Sequence, residues 1–546
     1  MKHLRIIVAV LFFGMAFSQS CTMKTKADLI GINGVIYTVD SAFSIAEAFA
    51  VKDGKFLFVG TTEEVKDNYT SDNVIDFKGG AVYPGLIDAH CHLLELGVDL
   101  MSADLKGSKS LEEVVGRVKD FHAKHPGIKI LTGAGWDQNL WENKNLPDNK
   151  LLNREFPDIP VCLVRIDGHA VLANEAAIKA LGLDVNDKKL DKGECKISGG
   201  KFTGIFMENM CVRFRTDLSP VNKDSLDAAL MEAQKECFRY GLTSVCDAEE
   251  EYGTLQTLLR MDSEGSLKLR VDAWPLPTEE NFEKVTSPFT QGRVKVDTYK
   301  LYRDGALGSR GSLLKEDYSD MPGWKGLDFY AYDRFKGYCQ WCYEHGFRVA
   351  THCIGDAAVA SALDVYSELL KGPNDLGWRI EHAQIVADED MDRFRQYSVI
   401  PSVQPTHCTS DMFWAKERLG DRIRTGYRYK ELLAQLGWLP SGTDFPIEHV
   451  TPIYTFFAAV FRKNLEFKPE EGFQMENALT KEEALRSMTI WAARSTNEEA
   501  SKGSIEAGKV ADFVTTDIDF FTADEKKVPE TVVTGTWING EKVFSL

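Results

Sequence analysis

Two histidines separated by a single residue, His90 and His92, end an apolar run early in the chain. Side chains alternate between the two faces of a β-strand, so these imidazoles point to one side and Cys91 points to the other. Two imidazoles on one face can bind the same metal ion. An isolated His-x-His is also an ordinary polar ending of a strand, so the interpretation depends on the rest of the chain.

Three further candidate ligands end strand-like runs elsewhere in the sequence. His352 ends the run 346–352, His382 ends the run 377–382, and Asp444 ends the run 436–444. Imidazole nitrogens and carboxylate oxygens are ligands that a borderline cation such as Zn²⁺ prefers. Five such side chains at equivalent strand ends predict one shared metal site.

The strand-like runs alternate with helical patterns such as 225–240 and 332–345. This alternation predicts an α/β fold, a (β/α)8 TIM-like barrel, in which catalytic groups lie at the C-terminal ends of the strands. The eight runs are 81–92, 241–247, 267–273, 296–303, 346–352, 377–382, 398–403 and 436–444.

Two regions do not follow the rhythm of the barrel. Residues 103 to about 230 predict a long folded insertion after the first strand, a lid over the barrel mouth that sets substrate preference. The ends of the chain, with hairpin signals at Asn33-Gly34 and Asp53-Gly54, predict a small discontinuous β-sandwich domain. The expected division is a signal peptide (1–20), the β domain (21–80 and 501–546) and the barrel (81–500).

The N-terminus predicts export. Lys2 and Arg5 precede the apolar run 6–17, which is too short to span a bilayer and has the layout of a secretory signal. Small residues before Cys21 resemble a lipoprotein cleavage site, which would place the protein in the cell envelope or periplasm with a lipid anchor at Cys21. Residues 16–18 also suit ordinary signal-peptidase cleavage, and then the protein would have no membrane contact.

The overall charge also restricts the partners. A formal net charge of −18 argues against a nucleic-acid partner, which would need a basic surface. We therefore expect a small-molecule partner, and homo-oligomerisation is left open.

Several stretches of the sequence carry a resemblance to a known family. They are 85–92, 167–170, 300–310, 351–356, 379–384, 402–405, 441–446 and 503–512. With its His-x-His, a lysine on strand four, histidines on strands five and six and an aspartate on strand eight, the chain resembles the amidohydrolase superfamily of metal-dependent hydrolases. Within it, the chain is similar to the amidohydrolase family 3 branch, which includes N-substituted formamide deformylases.

The resemblance implies a centre that holds two divalent ions, expected to be Zn²⁺. The implied ligands are His90, His92 and Asp444 for one ion, His352 and His382 for the other, and Lys300, carbamylated by CO2, as the bridge between them. An ammonium group has no lone pair for a metal, so the bridge requires this modification. The alternative is that Lys300 keeps its charge and pairs with Asp304 or Asp247, which leaves a one-metal site.

The predicted function is hydrolysis of a non-peptide carbon–nitrogen bond, in an amide, a formamide-like compound or a cyclic amide, by a metal-activated water. Asp444 is the predicted proton carrier, and His169 is predicted to hydrogen-bond the substrate carbonyl. Trp136, Gln404 and His407 are candidates for the pocket wall. The alternatives are an esterase, carbamate hydrolase or N-deacetylase that uses the same site, or a non-catalytic binding protein of the envelope.

Overall fold

The computed structural model describes residues 24–166, 169–187, 194–218 and 226–546. The predicted signal peptide and Cys21 lie outside the described residues, so export and lipidation stay predictions. In the ranges that the structure covers, no helix combines the length and the hydropathy needed to cross a membrane.

The N-terminal segment is mostly short strands. Its elements are β1 (Thr25–Lys26), β2 (Leu29–Ile32), β3 (Val35–Tyr37), β4 (Ile45–Ala46), β5 (Ala48–Lys52), β6 (Lys55–Gly60), α1 (Thr62–Asn68), β7 (Tyr69–Thr70), β8 (Val74–Asp76) and β9 (Ala81–Pro84). Asp53 and Gly54 both have positive φ and form the predicted tight hairpin between β5 and β6. The hairpin predicted at Asn33-Gly34 is wrong, because β2 and β3 belong to different sheets and the chain crosses between them there.

The last segment of the chain completes one of these sheets. It contains β25 (Phe513–Thr516), β26 (Val533–Ile538) and β27 (Glu541–Ser545). The six-stranded sheet has the order β27-β26-β25-β9-β3-β4, and a four-stranded sheet has the order β6-β5-β2-β8. Tyr37 and Tyr83 both donate hydrogen bonds to Asp519, at 2.8 and 2.6 Å. The two ends of the chain therefore share one sheet and a pair of partly buried hydrogen bonds.

The central part of the chain alternates strands with helices. Its elements are β10 (Leu86–Cys91) and α2 (Leu93–Leu100), then, after the insertion, α7 (Leu226–Arg239), β17 (Leu242–Glu250), α8 (Tyr252–Ser263), β18 (Arg270–Pro275), α9 (Glu279–Lys284), β19 (Phe289–Gln291), β20 (Val294–Val296), β21 (Thr298–Tyr302), α10 (Tyr332–Glu344), β22 (Arg348–Cys353), α11 (Asp356–Leu370), β23 (Arg379–His382), α12 (Asp388–Gln396), β24 (Ile400–Ser402), α13 (Pro405–Asp411), α14 (Ala415–Leu419), α15 (Tyr429–Leu436), α16 (Pro452–Phe461), α17 (Lys481–Ser487) and α18 (Ile490–Ser495).

These strands form two sheets rather than one continuous eight-stranded ring. One sheet has the order β10-β17-β18-β20-β19 and the other, all parallel, has the order β21-β22-β23-β24. Only Asp297 separates β20 from β21, so one stretch of chain pairs with β18 at its start and with β22 at its end. The fold is thus an α/β arrangement of parallel strands and helices, and closure of the barrel is not established by the strand pairing.

The eighth predicted strand, 436–444, is reduced to a single parallel bridge between Val403 and Ser441. Pro440 has no N–H to donate to a ladder, which explains why pairing is limited here. The segment nevertheless connects the two sheets, because the N–H of Ala89 donates to the carbonyl of Ser441 and the N–H of Gly442 donates to the carbonyl of Val403. It therefore lies between β10 and the end of β24.

The region between α2 and α7 has its own sheet and its own cores. Its elements are β11 (Ala103–Asp104), α3 (Leu111–Lys124), β12 (Leu131–Trp136), α4 (Lys150–Glu155), β13 (Val161–Arg165), β14 (Ala170–Ala173), α5 (Glu175–Ala180), β15 (Cys195–Ser198), β16 (Lys201–Met207) and α6 (Glu208–Asp217). The sheet order is β11-β12-β13-β14-β16-β15. The predicted insertion is thus folded, while its role as a lid stays a prediction.

Helix α2, which begins directly after His92, packs against α7 through a glycine. A methyl group added at Gly97 would lie 2.2 Å from the carbonyl oxygen of Ala229 in the backbone of α7. No side chain fits at this point unless the helices separate. The close packing of α2, which follows the histidine pair, against α7 therefore depends on this glycine.

We expect Gly97→Ala to lower the free energy of unfolding by about 1–3 kcal/mol, because overpacking forces the two helices apart. The matched control is Gly116→Ala in α3, where an added methyl group meets nothing within 4 Å. That change should be neutral or stabilising by up to about 1 kcal/mol, because alanine favours the helix. Urea denaturation followed by circular dichroism measures both, and an equal effect of the two substitutions would contradict the close contact.

Candidate functional site

A cavity of about 440 Å³ opens where the parallel strands end. Five of the six predicted ligands line it, and His90 lies fully buried behind them. We call this space the site cavity; its lining consists of His92, Glu95, Glu249, Lys300, Tyr302, Ala306, Leu307, Gly308, His352, Ile354, His382, Gln384, His407, Asp411, Trp414, Asp444 and Ile447.

The six predicted ligands converge on one point. The Oδ1 atom of Asp444 lies 3.0 Å from Nε2 of His92 and 3.4 Å from Nε2 of His90. The amine nitrogen of Lys300 lies 3.2 Å from the same Nε2 of His90. The ring of His382 lies 5.1 Å from that of His90 and 4.4 Å from that of His352, measured between centroids. Residues far apart in the sequence thus share one small volume.

His90 is oriented by a buried carboxylate. Its Nδ1 atom lies 2.6 Å from Oε2 of Glu381. A proton on Nδ1 makes this contact a hydrogen bond and leaves the lone pair of Nε2 facing Lys300 and Asp444. This is the arrangement by which proteins fix the tautomer of a metal-binding histidine.

Glu381 is itself held by Arg379, two residues earlier on the same face of β23. The Nε and Nη2 atoms of Arg379 lie 2.6 and 3.2 Å from the two carboxylate oxygens. Burial alone raises the pKa of Glu381, but the charge of Arg379 and the hydrogen bonds from His90 and Arg379 outweigh it and lower the pKa to about 2. Glu381 is therefore a carboxylate at neutral pH.

Asp444 is positioned by a second buried acid, Asp88 on β10. The Asp88 carboxylate accepts hydrogen bonds from the N–H of His90 and from the N–H and hydroxyl of Thr443. Between them, Gly442 passes so close that an added methyl group would lie 2.4 Å from the backbone nitrogen of His90. The residue before Thr443 must therefore be glycine, and Asp444 is fixed relative to the histidine pair.

Three residues of the cavity have left-handed backbone conformations. The φ angles are 77° at Glu249, 71° at His382 and 65° at Asp444. Strict alternation along β23 would place His382 on the side of Ile380, away from Glu381. With its left-handed backbone, His382 instead lines the cavity and packs against the rings of His352 and His407. Non-glycine residues adopt this conformation at a cost, and such strain is concentrated at functional sites.

His407, on α13, holds the second oxygen of Asp444. Its Nε2 atom lies 2.9 Å from Oδ2 of Asp444, and its Nδ1 atom lies 3.5 Å from Glu448. Burial lowers the pKa of His407, but the hydrogen bonds to the two carboxylates outweigh it and raise the pKa to about 10. His407 is therefore an imidazolium at neutral pH, and Asp444 presents its other oxygen to His90 and His92.

The alternative in which Lys300 forms an ordinary ion pair does not fit the contacts. Among the described residues, Asp304 accepts the backbone N–H groups of Leu313, Ile354 and Gly355, and Asp247 accepts that of Leu93, but neither acid forms an ion pair with Lys300. Burial lowers the pKa of Lys300 below its usual value. A buried lysine among imidazoles is thus a favourable place for an uncharged or modified amine.

The donor set fits a divalent metal. The buried atoms Nε2 of His352 and Nδ1 of His382 have no hydrogen-bond partner among the described residues. Ligand atoms of His90, His382 and Asp444 lie within 4.8 Å of one another. Buried polar atoms normally have partners, so a cluster of unpartnered imidazole nitrogens beside a carboxylate is what a zinc-type site requires.

The softer sequence predictions have different outcomes. His407 lines the site cavity as predicted. Gln404 is not among the lining residues; it is buried, and both atoms of its side-chain amide lack hydrogen-bond partners. Trp136 does not line the cavity: it is fully buried in the core of the insertion, where its N–H donates to the carbonyl of Leu163. The side chain of His169 is 65% exposed and contacts Glu208, so its predicted contact with substrate stays a prediction.

Sequence reasoning missed two acidic residues of the cavity. Glu249 is the next-to-last residue of β17, and Glu95 lies in the first turn of α2. Ligand atoms of His92, Glu95 and Glu249 lie within 4.8 Å of one another. The signal available in the sequence was that Glu249 follows a strand-like run, but it stands in the acidic tripeptide 249–251, which resembles a solvated surface.

Comparison with known proteins agrees with this geometry. Residues 73–544 match the model of a family described as the amidohydrolase family. The chain belongs to the amidohydrolase family. It is 30% identical to the YtcJ amidohydrolase of Bacillus subtilis (strain 168) over 94% of this chain and 98% of that protein. The resemblance found from the sequence is thus confirmed.

Two further proteins are similar to this amidohydrolase along almost its whole length. The N-substituted formamide deformylase of Arthrobacter pascens is 24% identical over 95% of this chain and 98% of the deformylase. The crystal structure of an uncharacterized metal-dependent hydrolase from Pyrococcus horikoshii OT3 is 30% identical, with a TM-score of 0.77 over 91% of this chain and 99% of that chain. The protein is accordingly a hydrolase that acts on carbon–nitrogen bonds.

We expect Arg379→Met to lower the free energy of unfolding by about 3–5 kcal/mol at neutral pH, because it leaves the buried Glu381 carboxylate without its cation. The folded-state pKa of Glu381 is lowered from 4.5 to about 2, so the pair stabilises the protein above about pH 4.5 and its contribution is lost as the pH falls towards 2. Urea denaturation should therefore show that the difference in unfolding free energy between the wild type and Arg379→Met becomes smaller as the pH falls from about 4.5 towards 2.

The control for this prediction is Arg395→Met, which removes an exposed ion pair with Asp392 on α12. Exposed pairs contribute little, so this change should stay within about 0.5 kcal/mol of the wild type. Similar losses of unfolding free energy in Arg379→Met and Arg395→Met would contradict a larger contribution from the buried pair.

Proposed function

We propose that this amidohydrolase cleaves a small non-peptide amide, formamide-like compound or cyclic amide with a water activated by a centre of two Zn²⁺ ions. The observation that carries the proposal is the convergence of four imidazoles, a carboxylate and a buried lysine amine at one end of the parallel strands. The similarity to an N-substituted formamide deformylase supports the choice of a non-peptide bond.

We divide the ligands into two groups, although their contacts overlap because His382 also approaches His90 and Asp444. His90 and His92 share Oδ1 of Asp444, whereas His352 and His382 pack ring against ring. We assign the first three residues to one ion and the last two to the other. When bound, divalent ions of this kind lower the pKa of a water ligand towards neutrality and polarise a carbonyl oxygen.

Lys300 is assigned as the bridge between the two groups of ligands. Its neutral amine adds to the carbon of CO2 and releases one proton, so the product is a carbamate with one negative charge. Its position 3.2 Å from His90 Nε2, in a cavity wall that also contains His352, supports this assignment.

Asp444 is assigned as the proton carrier. It takes a proton from the attacking water as the new C–O bond forms, and gives it to the departing nitrogen as the C–N bond breaks. His407 keeps one carboxylate oxygen occupied, so the other stays directed at the reacting groups.

Further parts of the proposal concern architecture and location. We propose that the two parallel sheets are the halves of one (β/α)8 barrel, which the contacts of Ser441 and Gly442 with both sheets support. The insertion is proposed as the lid, the chain ends as a β domain, and the mature protein as exported and anchored through Cys21.

The first test is metal content. The purified enzyme should contain about two equivalents of zinc, and chelation should abolish amide hydrolysis, which Zn²⁺ with bicarbonate should then restore. Elemental analysis and an assay for released amine across N-acyl amines, N-formyl compounds and hydantoin-like rings measure these outcomes. Activity that survives complete removal of metal, or a reconstituted protein that binds none, would contradict the proposal.

The second test concerns the proton carrier. Asp444→Asn should lower kcat by about 10²–10⁴-fold, because the amide cannot accept the proton of water. Asp392→Asn on the exposed face of α12 is the matched control and should retain full activity. Undiminished turnover by Asp444→Asn would overturn the assigned role.

A further inference from the structure

One wall of the site cavity is acidic. Glu95 and Glu249 project from the start of α2 and the end of β17, and their carboxylates approach each other and His92 to within 4.8 Å. We call these two residues the acidic wall. Two like charges this close repel each other, so a cation between them is strongly favoured.

Elsewhere in the described lining, the imidazolium of His407 is already paired with Asp444 and Glu448 and supplies no cation to this wall. Of the described residues that line the cavity, none is an arginine, and the one lysine, Lys300, lies among the predicted metal ligands. A third acid, Asp411, is fixed by hydrogen bonds from Tyr427 and Gln384. The cavity is therefore poorly suited to a substrate that carries a carboxylate, because recognition of that group normally uses arginine or lysine.

A further metal ion, beyond the two proposed ions, is a poor candidate for the cation at the acidic wall. Nε2 of His92 lies 3.0 Å from Asp444 Oδ1, whereas Nδ1 lies 3.8 Å from Glu249 Oε2 and has no hydrogen-bond partner although His92 is 92% buried. An imidazole that binds a metal through Nε2 carries its proton on Nδ1. Nδ1 is then a donor, which leaves two carboxylates as the only ligands for an ion at this wall.

The remaining walls of the cavity are largely apolar. Leu307, Ile354, Trp414 and Ile447 contribute to them. An apolar group of a substrate is stabilised against these side chains, since its transfer from water is favourable. The lining as a whole is thus complementary to a molecule with an apolar part and a positively charged part.

We propose that the substrates are amides that carry a protonated amino group near the scissile bond, which the acidic wall binds while the apolar part packs against Trp414 and its neighbours. This inference rests on the proposed amide hydrolysis. Hydrolysis consumes one water, breaks the C–N bond, forms a C–O bond and releases a carboxylic acid and an amine. The ammonium group remains unchanged throughout.

The test compares amides of nearly equal size that differ in charge. In the first series the varied group lies on the amine part of the amide: N-acetylbenzylamine carries an aminomethyl, methyl or carboxyl group in the para position. In the second series it lies on the acyl part: N-methyl phenylacetamide carries the same three para substituents. In at least one series, we expect kcat/KM for the aminomethyl compound to exceed that for the carboxyl compound by at least about tenfold. The two carboxylates of the acidic wall attract the cation and repel the anion. Equal or reversed preference in both series would overturn the inference.

Variants connect this preference to the acidic wall. Glu95→Gln should reduce the ratio of cation to anion by at least about threefold, and raised salt should reduce it in the wild type as well. Glu112→Gln, at an exposed glutamate in the first turn of α3, is the matched control and should keep the ratio. An unchanged ratio in Glu95→Gln would overturn the inference, and so would the loss of one metal equivalent from that variant, because the wall would then be a metal site.

A binding measurement separates this inference from the proposed function. The ligand is para-xylylenediamine, a dication without an amide bond, so its binding is measured without any hydrolysis. Calorimetry should show weaker binding to Glu95→Gln than to the wild type or to Glu112→Gln. If neither series of amides is hydrolysed but this difference is found, the proposed function fails and the acidic wall stands. If the amides are hydrolysed without charge preference and the diamine binds equally to all three proteins, the inference fails and the proposed function stands.

Discussion

The buried contact of His90, Glu381 and Arg379 is the constraint on which the rest of the site depends. A buried carboxylate is costly unless it is paired and hydrogen-bonded, and Arg379 satisfies both conditions. The same guanidinium also donates to the carbonyl of Ala89 and the hydroxyls of Ser402 and Ser495. One cation thus compensates the acid that orients the histidine and joins β10, β23, β24 and α18 at one point.

Around this fixed core, the reacting groups are held by strained or crowded backbone. Asp444 and His382 have left-handed conformations that only a well-determined surrounding structure maintains, and Gly442 lies against the backbone of His90. Asp88 holds the neighbouring Thr443 by hydrogen bonds, and His407 holds one oxygen of the Asp444 carboxylate, so the direction of that carboxylate is fixed. Preorganisation of this kind means that little rearrangement is needed when charge develops during a reaction.

Five of the six ligands could be predicted from the sequence because they end apolar runs, and the ends of parallel strands meet at one edge. Lys300 lies inside a strand-like run, and only the family resemblance indicated it. Trp136 was misplaced because a tryptophan beside glycines can belong to a cavity or to a core, and only the partner strand β13 decides between them. The acidic wall was missed because the position of Glu249 depends on its backbone angle, which the sequence does not encode by any recognisable residue type. The short pairing of 436–444 likewise reflects Pro440 and tertiary contacts rather than hydrophobicity, which predicted a full strand.

The shared sheet of the two chain ends has a consequence for biosynthesis. Strand β9 cannot pair with β25, nor Tyr37 and Tyr83 with Asp519, until the last part of the chain has left the ribosome. Contacts across more than 400 residues are late by necessity, and the apolar strands near the start remain uncovered meanwhile. Until β25 is available, β9 therefore presents an unpaired edge, and a chain truncated before β25 would keep that edge exposed.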